Sequence, residues 1–277
     1  MKSYNLVLSG GGVRSYAHLG VYKYCFENDV YFNEIVSVSG GALIAPFVYL
    51  RKDPNEIIKI FKEAKLHKKL FPIWFVPDKF EVLFIQPSTI KIGEWVEKMI
   101  GDFQSSNKLH IMATKNPLCG IKAMYSDMLK ITDLKNAIAA SCSISGIFKE
   151  HKVGDCTYID GCHWNNCPIF FDFEDNKLPL IAISLGYPGL IEKESGRISK
   201  IFRGLEITSY ARVQEDIKRW EFEKTCGKRG DLFVINPPVW NVRSLDFNLS
   251  DFQIDEIINA GYKAAKITLA KKEILNV

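Results

Sequence analysis

Ile35-Val36-Ser37-Val38-Ser39-Gly40-Gly41-Ala42-Leu43 is an apolar run of strand character that stops at a serine. Two glycines follow at once, and then a helix-forming segment over residues 42–50. This is the local shape of a nucleophile elbow, in which a serine sits on a sharp strand-to-helix turn with its hydroxyl clear of the backbone. Gly40 and Gly41 supply the room and the freedom in φ that such a turn needs. Ser37 stands where the G-x-S-x-G pattern has its first glycine, and it is still small. The helix aims unpaired N–H groups and a partial positive charge at the serine. A small-residue turn between strand and helix is also a common structural solution. The elbow therefore needs partners before it implies chemistry.

Upstream, residues 4–9 read as a buried strand that runs into Gly10-Gly11-Gly12-Val13-Arg14. A helix over 15–28 and a second strand over 32–38 follow. Strand, glycine loop, helix and strand make a βαβ-type order, which predicts an α/β fold with a central, mostly parallel sheet flanked by helices. The three glycines let the backbone approach a ligand and leave several N–H donors facing one concavity. Such a nest suits a phosphate or the oxyanion of an acyl-transfer intermediate. The Lys-Ser/Thr of a P-loop and the last glycine of G-x-G-x-x-G are missing. The serine downstream favours the oxyanion. Arg14 is open to two readings, a loop anchor with added positive potential or a plain surface ion pair.

Further along, Asp53-Pro54 opens a helix with an N-cap and a proline at its first position. Its far end is basic (Lys62, Lys65, His67, Lys68, Lys69), and an aromatic stretch broken by Pro72, Pro77 and Pro87 follows. That pairing suits a lid or a membrane-contact surface, and equally core packing with a solvated lysine face. Helices are expected over 90–100, 131–140, 198–224 and 255–274, and strands over 109–114, 180–185 and 232–235. No internal repeat or linker breaks residues 1–277, so one domain is expected, with 53–108 as a divergent lid or insertion region.

The composition is that of an ordinary globular chain, 47% hydrophobic and 25% charged. A net charge of +4 carries no argument for nucleic acid, and none is expected as a partner. No apolar run approaches the roughly 18 residues of a membrane span. The chain enters its first strand almost at once, leaving no room for a secretory leader. Seven cysteines without a C-x-x-C pair fit reduced thiols and a cytoplasmic location, peripheral at membranes; export as an effector by a leaderless route stays open. Cys156, Cys162 and Cys167 lie near His163, but their spacings match no standard zinc pairing. Neither metal nor cofactor is expected.

A third stretch, Tyr158-Ile159-Asp160-Gly161-Cys162, puts an aspartate and a glycine at a strand end. A turn aspartate is the plain reading. An activated serine nonetheless requires a base. Among five histidines (18, 67, 110, 151 and 163), His163 is the credible rival to Asp160.

Together the three stretches resemble the patatin-like phospholipase family, whose members carry G-G-G-x-R/K, G-x-S-x-G and D-G-G/A in that order. Here these are Gly10-Gly11-Gly12-Val13-Arg14, Ser37-Val38-Ser39-Gly40-Gly41 and Asp160-Gly161-Cys162. Similarity continues in Ala17-His18-Leu19-Gly20-Val21, in Ala137 to Ser141 with Gly146-Ile147-Phe148, in Asn166-Cys167-Pro168-Ile169 and in Ala260 to Ala265. Ser37 and Cys162 depart from the pattern, and Cys162, being larger, is expected to narrow the site.

The resemblance implies a patatin-like three-layer sandwich and a Ser39–Asp160 dyad. It implies an oxyanion hole from Gly10, Gly11, Gly12, Val13 and Arg14, with Ser37, Gly40 and Gly41 supporting the elbow and Gly161 the aspartate. It further implies metal-independent hydrolysis of phospholipid or lysophospholipid esters, with peripheral contact at a membrane or micelle surface. Alternatives of other kinds are a lipid transacylase and a catalytically silent lipid-binding regulatory protein. An aspartate acting as base at neutral pH is expected to have a raised pKa.

Overall fold

Strand β1 (Lys2–Leu8) lies at the middle of a sheet, parallel to β2 (Val30–Val38) on one side and β7 (Leu180–Ile183) on the other. β3 (Leu109–Lys115) extends the parallel set beyond β2, and β8 (Leu232–Ile235) beyond β7. The far edge turns antiparallel. β4 (Ser126–Leu129) and β6 (Cys156–Asp160) both pair with β3, and β5 (His151–Val153) pairs with β6. The strand order is β5-β6-β3-β2-β1-β7-β8, with β4 beside β3. The computed structural model describes residues 2–64, 86–101, 108–115, 126–129, 134–186, 197–246 and 248–275. The basic and aromatic run over 65–85, residues 131–133 and Pro188-Gly189 lie outside the described residues.

The inner parts of the central strands, such as residues 6–8 and Leu180–Ile183, read as apolar runs because both of their faces are covered. Leu6 and Leu8 enter one core while Val7 enters the other, and Ile181 and Ile183 likewise oppose Leu180 and Ala182. The first core holds α1 (Tyr16–Glu27), α2 (Gly40–Tyr49), α3 (Pro54–Ala64), α4 (Ile90–Ile100), α5 (Leu134–Ser141) and α7 (Asp251–Leu275). The second holds α6 (Arg197–Thr225) through Val213 and Trp220, with Cys167, Ile169 and Phe173. The result is the expected three-layer α/β arrangement.

Helix ends follow their local chemistry. The Asp53 carboxylate accepts the amides of Asn55 and Glu56 at 2.8 and 3.2 Å, so α3 begins as its sequence predicts. α7 starts at Asp251, ahead of the expected residue 255, because Ser250 and Gln253 form a reciprocal capping box (2.9 and 3.3 Å). The short strands β4 and β5 are unannounced in the sequence, since neither is long enough to show a period. Within the divergent region, Ile57, Phe61, Trp95 and Val96 of α3 and α4 are buried in the first core. α1 and α7 cross backbone to backbone. A Cβ on Gly20 would lie 1.8 Å from the Ile258 carbonyl oxygen, and one on Gly261 would lie 2.0 Å from that of Ala17.

Candidate active site

β2 delivers Ser39 to the top of the sheet, where the chain turns straight into α2. Ser39 holds φ +49° and ψ −120°, a conformation that L-residues rarely adopt, and three groups hold it there. Its amide donates to Ser141 Oγ at 2.8 Å, and that hydroxyl donates onward to the Met112 carbonyl at 2.7 Å. Its carbonyl accepts Ala42 N–H at 2.8 Å and the Cys142 thiol at 3.4 Å. Gly41 is required by space, because a Cβ there would stand 2.6 Å from the Leu8 carbonyl oxygen. Ser37 tolerates its hydroxyl by donating it to the His110 carbonyl at 3.1 Å. The tie through Ser141 has no sequence signal beyond a run of small residues.

Asp160 ends β6 and is fully buried. Its Oδ2 accepts the Ser39 hydroxyl at 2.6 Å, and its Oδ1 accepts the Cys162 amide at 2.8 Å. Its own amide is fixed on the Ser143 carbonyl at 2.9 Å. Burial raises its pKa to about 6, even though the hydrogen bonds from Ser39 and Cys162 pull the other way. Gly161 is demanded by packing, since a Cβ would come within 2.4 Å of the Met112 carbonyl oxygen.

The described histidines are engaged elsewhere. His163 Nε2 accepts the Ser145 amide at 3.4 Å, and burial lowers its pKa. His18 Nε2 bonds the Ser9 carbonyl at 2.8 Å inside α1, and burial pushes it down to about 4. His110 pairs with Glu34 at 2.6 Å, and His151 bonds Asn136 at 2.8 Å. Residue 67 lies outside the described residues. The cysteines and His163 near residue 160 form no metal-ligand group among the described residues.

The glycine loop packs over the elbow, and tertiary contacts divide its amides. Gly10 N–H donates to the Asn166 carbonyl (3.0 Å), Val13 N–H to Ser244 (2.8 Å) and Arg14 N–H back to Gly11 (3.0 Å). Of the five residues expected to form an oxyanion hole, Gly10, Val13 and Arg14 thus have engaged N–H groups with nothing left to donate. Asn166 also donates its side-chain amide to the Gly10 carbonyl at 3.2 Å, clamping that residue on both sides. Gly12 has φ +55°, and a Cβ there would lie 1.9 Å from the Ser244 carbonyl oxygen. Arg14 is buried rather than at the surface. It donates Nε to the Val242 carbonyl at 2.6 Å and Nη1 to Glu206 at 2.8 Å, and Glu206 also receives the Ser244 hydroxyl at 3.0 Å. Arg14 anchors the loop from behind.

Beside Ser39 opens a cavity of about 160 Å³, walled mainly by Leu43, Ile44, Phe61, Ile144, Phe148 and Leu249. Lys62 and Asp251 also line it. Cys142, not Cys162, is the cysteine lining this cavity.

A buried serine–aspartate pair at a strand-to-helix turn, under a glycine loop in a three-layer α/β fold, defines the class of acyl-hydrolase-like proteins. The chain belongs to the patatin-like phospholipase family, whose description matches residues 6–171. Membership of this family implies the class of lipid acyl hydrolases. It is 24% identical over 289 residues to the uncharacterized protein YqhO of Bacillus subtilis, covering 95% of this chain and 97% of that one. It is 23% identical over 290 residues to an uncharacterized NTE family protein of Mycobacterium tuberculosis, and spans only 46% of that longer protein. VipD from Legionella pneumophila shares the fold, with a TM-score of 0.58 and 12% identity over 98% of this chain and 67% of that one.

Proposed function

We propose that the protein is a serine acyl hydrolase acting on phospholipid or lysophospholipid esters through Ser39 and Asp160. The observation that carries this reading is the 2.6 Å hydrogen bond from Ser39 Oγ to Asp160 Oδ2, made by a serine held at positive φ. Ser39 Oγ attacks the ester carbonyl carbon as its proton passes to Asp160. The carbonyl oxygen takes up the negative charge and is held by the Gly11 and Gly12 amides, with Gly40 at the start of α2 adding a third donor. The tetrahedral intermediate collapses, the C–O bond to the alcohol breaks, and Asp160 returns its proton to the departing oxygen. Water repeats the sequence on the acyl-serine and releases the fatty acid, with no step calling for a metal.

The apolar cavity beside Ser39 supports a fatty-acyl chain as the group bound there. Phe252, 70% exposed next to the cavity-lining Asp251, supports peripheral contact with a lipid surface. Among the described residues no helix is long and apolar enough to cross a membrane.

The test is fatty-acid release from mixed phospholipid vesicles with chelator present, using wild type, Ser39→Ala and Asp160→Asn. Release by wild type alone, with fluorophosphonate labelling lost in Ser39→Ala, is the expected outcome. Release that survives Asp160→Asn but not His163→Ala would replace the dyad with a histidine base. A folded wild type that neither releases fatty acid nor takes the label would overturn the hydrolase reading.

A further inference from the structure

Ser15 sits where the 3-10 turn Gly12–Ser15 hands over to α1. A serine at a helix N-terminus ordinarily caps an unpaired amide. This one does not. It has φ −61° and ψ −15°, already helical, and its side chain makes no capping bond. The residue is 4% exposed, and among the described residues its Oγ is a buried polar atom with no hydrogen-bond partner. Leaving a buried hydroxyl unsatisfied costs free energy, so its presence calls for a physical reason.

The surroundings supply one. Ser15 lines the same cavity as Ser39, Gly40 and Gly12. Its oxygen faces Gly40, where an added Cβ would stand only 2.1 Å from it and 3.0 Å from the Gly12 carbonyl oxygen. An unpaired hydroxyl therefore lies against Gly40, the residue that follows Ser39, and close to Gly12 of the glycine loop.

We propose that Ser15 is a further catalytic residue, whose hydroxyl donates a hydrogen bond to the substrate's carbonyl oxygen as negative charge builds on it. The role requires a change of χ1 between staggered wells, moving Oγ from its packing against Gly40 toward the cavity that Ser15 lines. A hydroxyl rotor can present its proton wherever the acceptor lies. The free donor then finds its partner only when an ester is bound, and most strongly in the transition state, where the oxygen is charged. No covalent bond to Ser15 forms or breaks. The role rests on the acyl-hydrolase reading and adds a side-chain donor to the backbone ones.

The experiment compares wild type with Ser15→Ala on soluble p-nitrophenyl octanoate, alongside melting temperature and the binding of two inhibitors. One inhibitor is an octyl trifluoromethyl ketone, which forms a charged tetrahedral adduct on Ser39. The other is an uncharged octyl amide that mimics the ground state. Ser15→Ala is expected to lower kcat about tenfold or more and to weaken the ketone by a similar factor. Amide affinity should be unchanged, and the melting temperature equal or higher, because an unsatisfied hydroxyl has been removed. Ser15→Gly, which drops the hydroxyl without adding bulk, should repeat the loss. Wild-type kcat in both variants would overturn the role. So would a loss of kcat accompanied by a lower melting temperature and an equal loss of amide binding, which would make Ser15 a packing residue. A wild type that does not turn over the ester would overturn the hydrolase reading itself, and this role with it.

Discussion

Asp160 Oδ2 lies 2.6 Å from Ser39 Oγ across 121 residues of sequence, and the carboxyl that makes this bond is fully buried. Its pKa, raised by burial to about 6, gives the pair a pH signature with a definite sign. The ionised form is the base, so kcat/KM on a soluble ester should fall about tenfold per pH unit below about 6 and level off above it. A flat profile between pH 5 and 7 would remove Asp160 from the role of base.

The same shift makes a stability prediction. A carboxyl whose folded pKa lies above its unfolded value of about 4 binds its proton more tightly when folded. Its penalty is absent below about pH 4, grows as pH rises and is complete above about 6, on the order of 3 kcal/mol. Asp160→Asn keeps the shape: its carbonyl can accept from Cys162 and its NH2 can donate to Ser39. The variant should melt higher than wild type at pH 8, with the gain gone at pH 4. Thermal unfolding at the two pH values decides it.

Gly12→Ala combines a positive φ with a Cβ driven against the Ser244 carbonyl oxygen. It should lower the melting temperature and, by displacing the Gly11 and Gly12 amides, cut kcat by about 100- to 1,000-fold. Loss of stability with kcat intact would separate the loop from the chemistry.

The Arg14–Glu206 pair is nearly closed to solvent on the arginine side, at 3% side-chain exposure against 23% for the glutamate. Removing one partner of a buried pair leaves the other charge uncompensated. Glu206→Gln should therefore cost about 2–3 kcal/mol, below the full figure because Glu206 is partly solvated. Ser39 should also be labelled more slowly by a fluorophosphonate, since the anchor behind the glycine loop is weakened. Denaturant unfolding and labelling rates read the two effects separately.

Gly261→Ala should destabilise by about 3 kcal/mol, because the atom it meets is a backbone oxygen of α1 and no side chain can give way. The crossing of α1 and α7 is not part of the site, so kcat per folded molecule should stay near wild type. An active-site titration corrected for folded fraction checks this.

Ile144→Trp should fill part of the cavity beside Ser39. Turnover of an octanoate ester should drop while that of an acetate ester persists. Equal loss on both esters would argue that the cavity does not hold the acyl chain.

Much of this architecture is visible in the one-dimensional pattern. The apolar runs that end at Ser9, Ser39 and Leu185 become β1, β2 and β7, because a strand segment buried on both faces is mostly apolar. Gly10-Gly11-Gly12, Ser39-Gly40-Gly41 and Asp160-Gly161 are legible because their constraints are local: a tight turn, a close backbone approach or a strand end admits few residues. The Ser250–Gln253 capping box, also local, starts α7 at Asp251, ahead of the residue 255 expected from the sequence.

What sequence could not decide concerns partners far apart in the chain. Arg14 reads equally as a loop anchor or a surface ion pair until Glu206, 192 residues away, is brought against it. The glycine loop offers five amides on paper. Contacts from Asn166 and Ser244 engage two of them, and the loop's own turn engages a third. The sequence by itself determined the strand–loop–helix order and marked the candidate nucleophile and base, because each is written in neighbouring residues. Only the tertiary structure decided which loop N–H groups are engaged, which charge is buried and which hydroxyl is left unpaired. Those properties depend on what packs against a group, and a distant segment supplies it.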